Sequence, residues 1–173
     1  IFMGFTINSA YLSDGYKIGH KAMLAPGTTR LYGTWIPRSL KHAPKGVKKI
    51  LSSGQQLVWK WLYDEFEDNF FNQTDLIQSR NHNQFHEDMC TYLGMDYDSM
   101  HFDDLQELGY LPLKVQALTE GIETNPNVPH MTFINTVDGF AWLTLYVETI
   151  VSSLAWKICT SATIALQYRR NTE

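Results

Sequence analysis

Residues 13–20, SDGYKIGH, place an acid, an aromatic ring, a cation and an imidazole within one short stretch near the start of the chain. An aromatic face beside a carboxylate is a combination that can hold and orient a planar ligand. The same residues also have a purely structural interpretation. Ser13 or Asp14 can cap a short helix that begins near Tyr16, whose ring then packs on the protein. The stretch alone favours the cap and does not exclude a site.

Arg38 and Glu148 are two further charged residues in positions where chemistry is possible. Arg38 follows Pro37 at the end of a predicted strand, and strand ends often carry binding residues, here for an anion. Glu148 stands within an apolar segment, where desolvation of a carboxylate costs on the order of several kcal/mol unless it is paired or used. A structural ion pair and a functional role both remain open for Glu148.

The common nucleotide-binding motifs are missing from the sequence. There is no GxGxxG after a strand and no GxxxxGK[ST], which excludes the two nucleotide-binding classes that depend on them. Asp103 and Asp104 in MHFDDLQELG resemble the paired acids with which many phosphoribosyltransferases bind ribose. No Thr-Gly phosphate loop follows them, so we interpret them as acids in the first turn of a helix, where the macrodipole favours them.

No metal site or disulfide is predicted from the His and Cys residues. His82 and His86 have helical metal-ligand spacing, but no third ligand is evident, and we expect a solvated surface pair. Cys90 and Cys159 are far apart and lack any CxxC spacing. We therefore expect a reducing, cytoplasmic setting.

Composition and charge limit the class of protein. The chain has 173 residues, of which 44% are hydrophobic and 13% aromatic, enough for a packed core. A net charge of −4 argues against a nucleic-acid partner, because phosphate neutralisation requires clustered Lys and Arg. Residues 139–170 are apolar, but Glu148 and several Ser and Thr residues among them argue against a membrane span.

The pattern of the remaining residues predicts the elements that must position these side chains. Residues 29–36 mix β-branched and aromatic residues and predict a strand, and residues 41–49 form a basic loop. Residues 113–117 and 130–137 predict an antiparallel pair of strands. Residues 69–109 are polar and acidic, so we expect peripheral helices there and no core. Between the basic loop and residue 69, helical spacing predicts a helix that places five residues on the core: Leu57, Val58, Trp61, Leu62 and Phe66.

Several motifs together resemble one known family. SDGYKIGH followed by APGTTRLYGTWIPR is similar to the start of the nicotinamide phosphoribosyltransferase family, which has an Asp-x-Tyr-Lys-x-x-His motif, a Pro-Gly-Thr-Thr turn and a strand leading to an Arg. The resemblance continues in order through SSGQQLVWKWL, LPLKVQALTEG and INTVDGFAWLTLYVETIVSSLAWKICTSAT, from Phe5 to about Thr163. The sequence departs at Thr119, where the family commonly has Pro, and follows the family only loosely over residues 73–109.

The resemblance implies a reaction and a role for each matching residue. The family transfers a phosphoribosyl group from phosphoribosyl pyrophosphate to nicotinamide, which yields nicotinamide mononucleotide and pyrophosphate for NAD salvage. Tyr16 matches a Tyr that stacks on nicotinamide in the neighbouring subunit's site of a homodimer, and Asp14 matches an acid that binds nicotinamide there in an orienting role. Arg38 matches an Arg that reaches the pyrophosphate, and Glu148 matches an acid with a supporting role. Mg²⁺ is implied as the companion of phosphoribosyl pyrophosphate.

The resemblance also implies an architecture and an incomplete site. We expect an α+β fold with a mixed or antiparallel sheet over residues 1–137, then a long buried helix over residues 138–173 that leads toward an absent α/β barrel, as in the N-terminal domain of a type II phosphoribosyltransferase. No catalytic residue is expected in this chain, because the family's catalytic His and its second stacking aromatic lie in the barrel.

The start at Ile1-Phe2-Met3 and the end within a predicted helix predict a truncated or split product that is inactive alone. Two alternatives stay open, a nicotinate phosphoribosyltransferase fragment and a non-enzymatic remnant that acts as a dimerising or interaction domain.

Overall fold

The structure, a computed structural model, describes residues 7–173. Residues 1–6, which include the possible start at Met3 and the beginning of the family resemblance at Phe5, lie outside the described residues. Five α-helices are described: α1 (His20–Met23), α2 (Gln55–Phe66), α3 (Asp75–Leu93), α4 (Met100–Leu108) and α5 (Ala141–Thr172). The strands are β1 (Tyr32–Trp35), β2 (Ile50–Leu51), β3 (Leu113–Ala117), β4 (Glu123–Thr124) and β5 (Met131–Asn135).

The main sheet is antiparallel and has the order β1-β5-β3. In β5 the buried side chains alternate, with Met131, Phe133 and Asn135 facing inward, which is the period-two pattern that predicted the strand. The predicted pairing of β3 with β5 is confirmed, since Leu113 lies opposite Asn135. A second sheet joins only β2 and β4. Antiparallel sheets flanked by helices confirm the α+β fold class.

Helix α2 is present as predicted, but its buried face differs from the expected one. Three of the five expected core residues are buried: Val58, Leu62 and Phe66. Leu57 and Trp61 are 62% and 39% exposed, so their assignment to the core is wrong. Trp59 takes that place, with its ring 5.2 Å from the ring of Phe133 on the sheet. The aromatic partner on the sheet decides which side of the helix faces inward.

Residues 69–109 contribute to the core, which corrects the expectation that they would not. Phe85 of α3 and Phe102 and Leu105 of α4 are 2%, 3% and 0% exposed. The Phe102 ring lies 4.9 Å from that of Phe85 and 5.0 Å from that of Trp142 on α5. The apolar residues are a minority in this polar segment, but the helices gather them on one side.

Helix α5 is the longest element and forms one wall of the core. Leu143 and Val147 are fully buried in its first half. In its second half, burial is confined to one side, and Trp156 and Tyr168 are 57% and 67% exposed. The helix expected after Asp138 is therefore present, and the buried environment expected for it applies to its first half. Its length and composition would also allow it to cross a membrane, a test that core helices pass as well.

The start of α2 lies against the second half of α5. Gly54 precedes α2 with a φ of +86°, and a Cβ added to it would lie 2.3 Å from Cγ2 of Ile158. A glycine is required there by both the backbone conformation and the close approach. This contact holds the loop before α2 close to the helix that carries Glu148.

Candidate functional site

The polar stretch near the N-terminus is fastened to α5 by its side chains. Asp14 precedes a 3₁₀ turn, Gly15–Lys17, but makes no capping hydrogen bond. Instead, its Oδ2 accepts a hydrogen bond from the Thr149 hydroxyl at 2.9 Å. The Ser13 hydroxyl donates to the carbonyl of Tyr146 at 2.7 Å. The expected side-chain cap is therefore wrong, because these groups bind across to α5 rather than to their own helix.

Glu148 is paired with Lys17 of the same stretch. The distance from Nζ to Oε2 is 2.5 Å, and the side chains of Lys17 and Glu148 are 5% and 55% exposed. The carboxylate is thus half exposed, and the ammonium is the group that has lost its water. The desolvation argument that singled out Glu148 applies in fact to Lys17, whose burial makes the pair necessary.

Tyr16 lies between these two anchored residues and projects outward. Its side chain is 62% exposed, although Asp14 and Lys17 on either side are held on α5. Its ring contacts the His20 ring edge-to-face at 5.4 Å, and Nζ of Lys17 lies 5.3 Å from its centroid. The backbone beneath the ring is fixed, so the exposed ring is presented in a defined place.

A cavity of about 660 Å³ lies between the segment after β1, the basic loop and α5. Both Arg38 and Glu148 line it, and its apolar wall includes Trp35, Val151 and Cys159. Burial raises the pKa of the Cys159 thiol to about 11, so this thiol is protonated at neutral pH and is no nucleophile.

The charges around the cavity favour an anion. Arg38 is exposed and forms no salt bridge within residues 7–173. Glu148 is the one carboxylate among the described residues that line the cavity, and Lys17 already neutralises it. His42 also lines the cavity, and the loop that carries it contains four lysines outside the lining: Lys41, Lys45, Lys48 and Lys49. Arg38 is thus the one Lys or Arg side chain among the described residues that line the cavity, and a cation in this position attracts phosphate groups.

The structure brings three of the four predicted site residues together and sets one apart. Asp14 is hydrogen-bonded to Thr149, the residue that follows Glu148 on α5, and Glu148 shares the cavity with Arg38. Tyr16 does not line the cavity. The described residues therefore present an outward-facing ring and a separate cationic cavity, joined through the Lys17–Glu148 pair.

Sequence reasoning missed the partners that hold the site, Lys17 and Thr149. An acid in an apolar helix indicates that a cation lies near it, but the chain has 14 Lys and Arg residues and no pattern points to one of them. Lys17 and Glu148 are 131 residues apart in sequence. Only the packing of the N-terminal turn on α5 brings them together.

Comparison with known proteins identifies a similar protein. No family model matches the chain. A nicotinamide phosphoribosyltransferase from Acinetobacter baylyi is 38% identical over 173 residues, covering 97% of this chain. The chain spans about a third (34%) of the length of that relative. The comparison confirms that this chain resembles the nicotinamide phosphoribosyltransferase family over nearly all of its length, with a coverage consistent with an N-terminal portion.

Proposed function

We propose that this chain is the N-terminal portion of a nicotinamide phosphoribosyltransferase. The whole protein transfers the phosphoribosyl group of phosphoribosyl pyrophosphate to nicotinamide and releases pyrophosphate, a step of NAD salvage in the cytoplasm. The observation that carries the proposal is the exposed Tyr16 ring, held by anchors on both sides, in a chain 38% identical to a protein of that name.

Tyr16 is proposed to stack on the base. An electron-poor pyridine ring binds well against an aromatic face, and offset stacking contributes free energy beyond the area buried. The ring lies outside the cavity of its own chain, which agrees with a contribution to the site of a second subunit in a homodimer. Asp14 orients this ring through its hydrogen bond to Thr149, which fixes the turn.

Arg38 is proposed to bind the pyrophosphate of the second substrate. A guanidinium binds phosphate oxygens with two parallel hydrogen bonds, and the lysines of the neighbouring loop add charge around it. Glu148 has a supporting role, because it neutralises Lys17 beside the cavity. The charge of a departing pyrophosphate is stabilised by such fixed cations.

The donor set of this chain does not fit a magnesium site of its own. Mg²⁺ prefers oxygen ligands, usually one or two carboxylates together with substrate phosphates. Among the described residues that line the cavity only Glu148 offers a carboxylate, and it is bound to Lys17. We propose that Mg²⁺ arrives with the phosphates of phosphoribosyl pyrophosphate and is completed by residues outside this chain.

The experiment replaces the corresponding segment of the Acinetobacter baylyi relative with this chain and measures formation of nicotinamide mononucleotide. We expect the chimera to be active and the 173-residue chain alone to be inactive. A chimera that folds and dimerises but makes no product would contradict the proposal and favour the interaction-domain alternative. Kinetics with nicotinamide and nicotinate, compared with the unaltered relative, measure how this chain shifts the choice of base.

Arg38 is tested in the same chimera. Loss of a charge-assisted hydrogen bond costs about 1.5–3 kcal/mol, so Arg38→Ala should raise the KM for phosphoribosyl pyrophosphate by roughly 10- to 150-fold. Arg80→Ala is the matched control, since Arg80 is an exposed arginine on α3 that does not line the cavity. Equal effects of the two substitutions would remove Arg38 from the site.

A further inference from the structure

Three side chains of different metal-binding chemistry converge at the end of α3. The Cys90 sulfur lies 3.6 Å from Nε2 of His86 and 3.9 Å from Oδ1 of Asp96. The distance from Nε2 of His86 to Oδ1 of Asp96 is 3.9 Å. Each residue therefore offers one donor atom toward a common point, outside the cavity described above.

The local fold explains why these residues meet. His86 and Cys90 are four residues apart on α3 and so share one face of the helix. The helix ends at Gly94, whose φ of +66° is the left-handed conformation typical of a helix C-terminus. The chain reverses there and returns Asp96 to the Cys90 side chain.

A hydrogen-bonded chain behind His86 directs its ring toward the same point. Nδ1 of His82 lies 2.7 Å from Oδ1 of Asp103, and this N–H donates to the carboxylate. Nε2 of His82 lies 3.5 Å from the Ser99 hydroxyl oxygen. The same Ser99 oxygen lies 3.2 Å from Nδ1 of His86, and Ser99 is almost fully buried. The two histidines are thus not the solvated pair expected from sequence.

In the tautomer in which Nδ1–H of His86 donates to the Ser99 oxygen, the lone pair of Nε2 faces Cys90 and Asp96. Metal-binding histidines usually donate their second ring N–H to an oxygen acceptor, which fixes the tautomer and the ring orientation. Ser99 supplies that acceptor here, and His82 and Asp103 in turn orient Ser99. The relay is an observation independent of the three donor distances, and it indicates a built site.

The donor distances fit a zinc-sized ion. Tetrahedral zinc with bonds of about 2.3 Å to sulfur and about 2.0–2.2 Å to nitrogen and oxygen requires donor separations of about 3.3–3.6 Å. The separation of 3.6 Å between Cys90 and His86 lies within this range, and the two separations of 3.9 Å to Asp96 exceed it by a few tenths of an ångström. The Asp96 side chain is 97% exposed and can close the difference. Thiolate and imidazole donors select zinc-like ions over Mg²⁺ or Ca²⁺.

We propose that His86, Cys90 and Asp96 bind one divalent transition-metal ion of the zinc class, with water in the fourth position. Binding forms the metal–sulfur bond and releases the thiol proton of Cys90 to solvent. The ion fastens the turn between α3 and α4 to the end of α3. This site does not depend on the proposed phosphoribosyltransferase function.

The first test titrates the chelator-treated 173-residue chain with Co²⁺, which reports thiolate ligands through a near-ultraviolet charge-transfer band. We expect a saturable band that Zn²⁺ competes away. Cys90→Ser should abolish the band, and Cys159→Ser, which changes the other cysteine of the chain, should leave it. A band that survives Cys90→Ser, or the lack of any saturable band, overturns the proposal.

The second test measures Zn²⁺ affinity by competition with a chromogenic chelator. His86→Ala and Asp96→Asn should each weaken binding by at least about tenfold, and Ser99→Ala by about 10- to 100-fold. Glu87→Gln is the control, because Glu87 is an exposed acid on the same helix that offers no donor to the site. Circular dichroism confirms that each variant folds. Affinities that match the Glu87→Gln control for all three variants would refute the site.

Discussion

Replacing Glu148 with Gln should destabilise the protein more than replacing Lys17 with Met. Glu148→Gln leaves a 5% exposed ammonium without its counter-charge, whereas Lys17→Met leaves a 55% exposed carboxylate that water can hydrate. Exposed pairs contribute about 0.2–1 kcal/mol, and removal of one partner from a fully buried pair costs about 3–5 kcal/mol. This half-buried pair lies between these limits. We expect Glu148→Gln to cost about 1–2 kcal/mol and Lys17→Met less than about 1 kcal/mol.

Urea unfolding of the two single variants and the double variant measures the coupling. The double variant should be about as stable as Lys17→Met, because Glu148 has nothing to neutralise once Lys17 is gone. The exposed Lys60–Asp64 pair on α2 is the control, and removal of either charge should leave the unfolding free energy unchanged within error. Additive effects of the two substitutions, or a smaller cost for Glu148→Gln than for Lys17→Met, would refute this account of the pair.

Three further predictions concern the fold. Burial lowers the pKa of His101 from 6.5 to about 3, so the unfolded chain binds a proton that the folded protein does not, and stability should fall as the pH drops below about 6.5. The part of the loss at pH 5 that is due to His101 is about 2 kcal/mol by urea unfolding, and His101→Gln should remove that part of the slope, leaving the part due to His130, whose pKa is also lowered by burial. Gly54→Ala should lower the Tm, because the new Cβ meets Ile158. Adding Ile158→Ala to this variant should restore only part of the loss, since the φ of residue 54 stays positive. Leu105→Ala should lower the free energy of unfolding by about 2–5 kcal/mol because Leu105 is fully buried. Leu57→Ala, at an exposed position, should lower it by less than about 0.5 kcal/mol, and equal losses would contradict the burial of Leu105.

The fold was predictable where the hydrophobic period is strong. Strands β1, β3 and β5 and helix α2 follow from alternation and helical spacing in the sequence. Strands β2 and β4 have two residues each, too few to show a period. The core role of Phe85 and Phe102 was missed because polar neighbours outnumber them, and only the mutual packing of α3, α4 and α5 brings their rings together.

The sequence nominated residues for the candidate site but did not indicate their contacts. The motif and the strand end pointed to Asp14, Tyr16 and Arg38, and the apolar surroundings pointed to Glu148. The structure adds the long-range partner of Glu148, which no local pattern encodes. The third ligand of the proposed metal site was missed for a similar reason. Helical spacing can indicate only ligands that lie on one helix, whereas Asp96 reaches Cys90 from beyond the end of α3.

The role of Tyr16 is the central claim, and the KM for nicotinamide tests it most directly. In the chimera with the Acinetobacter baylyi relative, Tyr16→Ala should raise this KM by roughly 5- to 150-fold, as expected for a loss of about 1–3 kcal/mol of stacking. Tyr16→Phe keeps the ring and should stay near the unaltered value. Tyr32→Ala removes a ring of the same 62% exposure elsewhere and should have no effect. An unchanged KM in Tyr16→Ala would contradict the account.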